Sequence, residues 1–299
     1  MTPGGVGRRR QRRDTAAGFL ASRSDSQLVA LLDGGAAGEV GVGGGAVTLD
    51  IDGLPAFAKR VPLTDRELAR PHCTANLFEL PVFCQYGVRG VGFGAWREPA
   101  ANRMVTAGVL AGEAASFSLL YHWRLLPGRP PIAAEHEDVD AVVAGLGGSP
   151  AVRVRLEALA AASWSLVLFF EHIPHRLVDW LREDPVGRAA LFERNLSEIV
   201  AFLGERQFAE RNATHDAGYA AMMLVNWLVT AVCGVPLPAR GGPVERNEFV
   251  RRCAAGHLPH DVPPAIAEML ARHAPAAATM NSFYWRLFGG EVRAEFPGL

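Results

Sequence analysis

Alternating apolar and polar residues mark the first half of the chain, and helical periodicity dominates the second. Residues 26–32 read as a short amphipathic helix started by Asp25 or Ser26. A glycine-rich stretch from Gly34 to Gly45 leads into a β-rich run over 46–51, and Asp52-Gly53 is a hairpin signal before a second run over 56–61. Residues 93–112 place Trp96, Ala100, Met104 and Val105 near a 3.6 spacing, which predicts a helix. Residues 116–126 predict a strand stopped by Pro127-Gly128, and 139–146 and 152–162 predict helices inserted between strands. Residues 166–173 read as a buried strand running into Pro174. Beyond it, helices are expected over 175–181, 186–206, 219–233, 247–253, 264–273 and 276–288, the third almost wholly apolar.

Strands followed by helices predict an α+β protein of two lobes with a cleft between them. The expected divisions are a disordered basic leader over 1–25, a β-rich lobe with a helical insertion over 26–173, and a helical lobe over 174–299.

Composition narrows the function classes. A formal net charge of -1 over 299 residues gives no general argument for a nucleic-acid partner. The four cysteines, Cys73, Cys84, Cys233 and Cys253, show no CxxC and no paired metal spacing, and read as free thiols in a reducing compartment. Arg8, Arg9, Arg10, Arg12 and Arg13 precede no apolar h-region, so the start does not read as a signal peptide. A solvated leader is the expectation for such a terminus, although a basic tail can also touch nucleic acid or an anionic membrane. No apolar run reaches the length of a membrane span. The reading is a cytoplasmic protein with no nucleic-acid or membrane partner and an unidentified protein partner or substrate.

One residue changes the picture. Of 30 basic residues, Lys59 is the only lysine. In a chain that uses arginine wherever a positive charge suffices, a lysine points to a place that needs a compact ammonium. It lies on the second β-rich run, after the glycines. Gly41-Val-Gly43-Gly44-Gly45-Ala46 can bring backbone close to phosphate oxygens, or can simply form a flexible hairpin tip. The stretch is not a Rossmann fingerprint, because a strand and not a helix follows it. Glu98, on the first long predicted helix, is the expected partner of Lys59, with Glu113 as the fallback.

The segments FAKRVPLTDRELA (57–69), TANLFELPVFCQYG (74–87), GFGAWREPAANRM (92–104), LLYHWRLLPG (119–128), SLVLFFEHIPHRLVDWL (165–181) and LVNWLVTAVCG (224–234) resemble a bacterial protein-kinase-like family. That family is related to eukaryotic-type Ser/Thr kinases and aminoglycoside phosphotransferases. The resemblance implies a two-lobed kinase-like fold, ATP and Mg2+ as ligands, and phosphoryl transfer to a hydroxyl. Within it, Lys59 and Glu98 correspond to the lysine–glutamate pair that organises the nucleotide phosphates. Gly41, Gly43 and Gly44 would form the phosphate-covering loop, and backbone groups at Glu171, His172 and Ile173 would contact the adenine.

The sequence also departs from the family. No H-x-D-x-x-x-x-N and no D-F-G triplet occurs anywhere in the chain. A segment of several tens of residues looks excised between about Arg206 and Phe208, which would leave the C-terminal lobe incomplete. Asp216, after His215, is the weak stand-in for a catalytic carboxylate, and it also suits a helix cap. Glu210 and Asn212 show no specific metal spacing, and the remaining histidines share no zinc-like spacing. Three readings stay open: a nucleotide- or partner-binding pseudokinase, an active ATP-dependent kinase of unusual design, and a deletion variant of an active kinase.

Overall fold

The computed structural model describes residues 3–41, 44–86, 91–175, 177–202, 214–238, 242–291 and 294–299. The chain divides into two compact units, Met1–Ile173 and Pro174–Leu299.

Unit 1 is built on a five-stranded antiparallel sheet: β1 (Ala36–Gly41), β2 (Gly44–Ile51), β3 (Leu54–Leu63), β4 (Leu120–Pro127) and β5 (Trp164–Glu171). Its spatial order is β1-β2-β3-β5-β4, so the chain leaves the sheet after β3 and returns at the far edge. Among the described residues six α-helices accompany it: α1 (Pro3–Ala21), α2 (Asp25–Asp33), α3 (Asp65–Leu68), α4 (Arg97–Ala111), α5 (Val139–Gly145) and α6 (Pro150–Ala161). The Asp52-Gly53 turn forms as expected, with φ of 53° and 79° and the Gly53 N–H donating to Asp50 Oδ1 at 2.7 Å. On one face of the sheet Val61, Leu63, Leu120, Leu166, Leu168 and Phe170 pack with Ala95 and Trp96, at the start of α4. That apolar face fixes the helix against β3 and β5.

Two expectations are corrected here. The 1–25 segment is not a disordered leader, because residues 3–21 form α1 with Ala16 and Leu20 fully buried. Its arginines find partners far along the chain, which no local pattern displays. Part of the glycine-rich stretch is a strand and not a turn, since Ala36–Gly41 forms β1, paired to β2.

Unit 2 is helical among the described residues: α7 (Leu177–Glu183), α8 (Pro185–Phe202), α9 (His215–Ala231), α10 (Val244–Ala254) and α11 (Pro264–Phe288). Helix α9 is almost wholly apolar from Tyr219 on and buries Leu224, Val225, Leu228 and Val229, in keeping with its sequence. The two helices expected over 264–288 are one, with Pro275 inside it. Proline costs the helix one hydrogen bond. Here a continuous stripe of Ile266, Leu270, Ala274, Ala277, Met280 and Phe283 is buried on both sides of it, and that burial outweighs the loss. The place where a segment looks excised lies outside the described residues, as do Glu210 and Asn212.

Candidate functional site

Lys59 sits in the middle of β3, opposite Ala46 on β2 and Leu168 on β5. Directly opposed residues of antiparallel strands share a face, and Trp123 extends the same row on β4. Gly38 on β1 also borders this face, since a Cβ there would lie 3.2 Å from Ala46 Cβ. On the β2 side of the ammonium the facing residue is thus Ala46, with Gly38 beside it, while the other side is filled by Leu168 and Trp123.

Lys59 Nζ is bonded to Glu98 Oε1, and both side chains are about one quarter exposed, at 28% each. Glu98 stands in the first turn of α4, where the N-terminal end of the helix dipole favours a carboxylate. Glu113 is not the partner. Helix α4 ends at Ala111, Gly112 turns left-handed with φ 80°, and Glu113 follows beyond the cap.

The start of α4 is itself held from below. Glu67 on α3 accepts hydrogen bonds from the Ala95 N–H at 2.7 Å and from Thr64 Oγ1 at 2.7 Å. Its carboxylate meets Arg155 of α6 at 2.9 Å, with side chains only 1% and 4% exposed. Trp96 Nε1 donates to the Glu67 carbonyl at 2.8 Å. Burial alone would raise the Glu67 pKa, but Arg155, Thr64 and the Ala95 amide together hold it below its ordinary value. Thus α6 and α3 set where α4 begins, and α4 sets where Glu98 meets Lys59. Sequence reasoning missed this node. The Thr64-x-x-Glu67 capping box was its one local signal; the partner Arg155 lies 88 residues away.

The other expected site residues fall as follows. Gly41 and Gly44 pair with each other across the β1–β2 tip, and Gly43 lies outside the described residues. Gly44 has φ 116°, and a Cβ there would come within 1.9 Å of the Arg60 carbonyl oxygen, so only glycine fits. Glu171 closes β5, but its N–H is taken by the Leu119 carbonyl at 2.9 Å and its carboxylate by Arg9. Ile173 follows at the end of unit 1, 57% exposed. The structure therefore joins Lys59 to Glu98 and places Glu171 three pairs along the neighbouring strand, opposite Ala56, with its side chain on the other face of the sheet.

Asp216 belongs to unit 2. It lies in the first turn of α9, 49% exposed, with Oδ1 3.1 Å from His215 Nδ1. His215 is enclosed by Tyr219, Phe283, Tyr284 and Phe296. The thiols of buried Cys84 and half-buried Cys233 are both pushed up to about 11, chiefly by desolvation, which makes neither a ready nucleophile.

Among the described residues no three His, Cys, Asp or Glu side chains come together to hold a metal ion. An ammonium beside open sheet and glycine-built backbone does suit an anionic phosphate chain. No helix among the described residues is long and apolar enough to cross a membrane. Compared with known proteins, the chain matches no protein-family model and no curated protein.

Proposed function

We propose that this chain is a protein-kinase-like protein of two lobes that binds ATP through unit 1 and does not transfer its phosphate at an enzymatic rate. The observation that carries the reading is the Lys59–Glu98 ion pair, made between the third strand of the sheet and the next long helix. A lysine on the third strand paired to a glutamate on the helix that follows is the arrangement kinases use to hold nucleotide phosphates. The glycine hairpin tip precedes it in the chain, and the apolar strand β5 runs beside it, as the same reading requires.

The second half of the proposal rests on the sequence. Phosphoryl transfer needs charge neutralisation by metal and a positioned base. The chain has neither an H-x-D-x-x-x-x-N nor a D-F-G aspartate. Lowering the barrier by the roughly 8 kcal/mol or more typical of enzymes has no source in those motifs. ATP then binds without a requirement for Mg2+.

The test is calorimetric titration with ATP, with and without Mg2+, on the wild type, Lys59→Ala and Glu98→Gln, beside an assay of phosphate release. ATP binding that is independent of Mg2+ and lost in Lys59→Ala is the expected result. Undiminished binding in Lys59→Ala would place the nucleotide elsewhere. Phosphate release abolished by Asp216→Ala would replace the non-catalytic reading with that of an active kinase.

A further inference from the structure

Helix α1 carries a row of arginines whose hydrogen bonds converge on one corner of unit 1. Arg9 Nε lies 3.0 and 3.1 Å from the two Glu171 carboxylate oxygens, and Nη2 lies 2.5 Å from Oε2. The same guanidinium donates to the Ala115 carbonyl at 3.3 Å and the Phe117 carbonyl at 2.5 Å. Glu171 Oε2 also accepts the Leu119 N–H at 3.2 Å. One turn along, Arg13 Nε donates to the Leu120 carbonyl at 3.4 Å, and Arg10 reaches the Leu110 carbonyl in the last turn of α4 at 2.7 Å.

We infer that Arg9 is a positioning residue for the base-binding end of the proposed nucleotide site, and that α1 is the brace that carries it. This inference rests on the nucleotide-binding reading above. The base would be recognised by backbone groups just after Glu171, and backbone recognition depends on where the strand end is held. Arg9 holds it by joining the Glu171 side chain to the connection between α4 and β4. The side chains of Arg9 and Glu171 are 16% and 13% exposed, so the pair is shielded from competing water. A planar fork is needed, because one group must meet a carboxylate and two carbonyls at once; a lysine ammonium has neither the span nor the donor number. Phosphate contacts at Lys59 lie on the next strand and do not pass through this corner.

The two ends of the site can be separated with two probes. ATP engages base and phosphate contacts, whereas inorganic tripolyphosphate engages only the phosphate end. Titrating both into the wild type, Arg9→Ala, Arg9→Lys and Glu171→Gln should show ATP affinity falling about tenfold in each variant. Tripolyphosphate affinity should stay unchanged. Equal loss for both ligands would reduce Arg9 to general structural support and overturn the inference, as would unchanged ATP affinity in all variants. A wild type that binds neither probe would overturn the nucleotide reading itself, a result distinct from either of these. Glu171→Gln keeps the shape and the Leu119 contact, so it carries the test if Arg9→Ala does not fold.

Discussion

Arg155 and Glu67 meet at 2.9 Å in a pocket where neither side chain is more than 4% exposed. The pair joins α6 to α3, and through the Ala95 amide it joins both to the start of α4. A buried ion pair is a modest source of net stability, but breaking it leaves a charge stranded in the interior. Arg155→Met should therefore cost about 3–5 kcal/mol in urea unfolding of unit 1. Replacing both partners, as Glu67→Leu with Arg155→Met, should recover much of that loss. A double variant no more stable than the single one would show that the hydrogen bonds to Thr64 and Ala95, and not the charges, hold this corner.

Acid should weaken unit 1 in two stages. Burial, with Arg124 nearby, depresses the His122 pKa, and burial depresses that of His136 against a small opposing effect of Glu135. Both groups take up protons more readily when unfolded, so their contribution is present above about pH 6.5 and is lost as pH falls toward the depressed folded values. Glu67 is also held below its ordinary value, so its contribution is lost only below about pH 4.5. Melting temperatures measured from pH 8 to pH 3 should begin to fall below about pH 6.5 and fall again below about pH 4.5. His122→Phe with His136→Phe should flatten that first decline and leave the second. An unchanged slope in the double variant would assign the decline to other groups.

The two ends of β2 offer a graded test of backbone strain. Gly44 has both a positive φ and a carbonyl oxygen in the way of any Cβ, whereas Gly53 has a positive φ and open space. Gly53→Ala should cost about 1 kcal/mol, and Gly44→Ala more, up to about 3 kcal/mol, because β2 must also shift against Arg60 of β3. Equal losses measured in chemical denaturation would mean that the tip relaxes freely around Arg60.

In unit 2, Asn226 and Asn281 exchange amide hydrogen bonds of 2.8 and 2.9 Å between α9 and α11. Both are more than nine-tenths buried. Asn226→Leu alone strands the Asn281 amide and should destabilise unit 2 by about 1–3 kcal/mol. Adding Asn281→Leu should restore most of the loss. Failure of the second change to restore stability would point to a packing cost of leucine at these sites.

What could be read from the sequence follows the range of the forces involved. The Asp52-Gly53 hairpin, the strand bearing Lys59, the apolar helix over 219–233 and the Lys59–Glu98 pairing each rest on short spacing or on one unusual residue. Helix α1 did not show itself, because its apolar stripe is slight and its arginines act on carbonyls about 100 residues or more away. The Glu67–Arg155 node was hidden for the same reason. Pro275 misled in the opposite direction: a strong local stop signal was overridden by burial on both sides of it.

The singular lysine has a practical consequence for chemistry on this protein. An amine-reactive ester finds one side-chain target in 299 residues, and that target is held by Glu98 with 28% of its surface open to solvent. Apart from the α-amino group, every acyl label would land on β3. The extent of labelling at Lys59, read by peptide mass, is therefore a direct footprint of the ammonium itself. Any anion that settles over it, or any change that releases it from Glu98, would register as protection or as faster modification without an engineered probe.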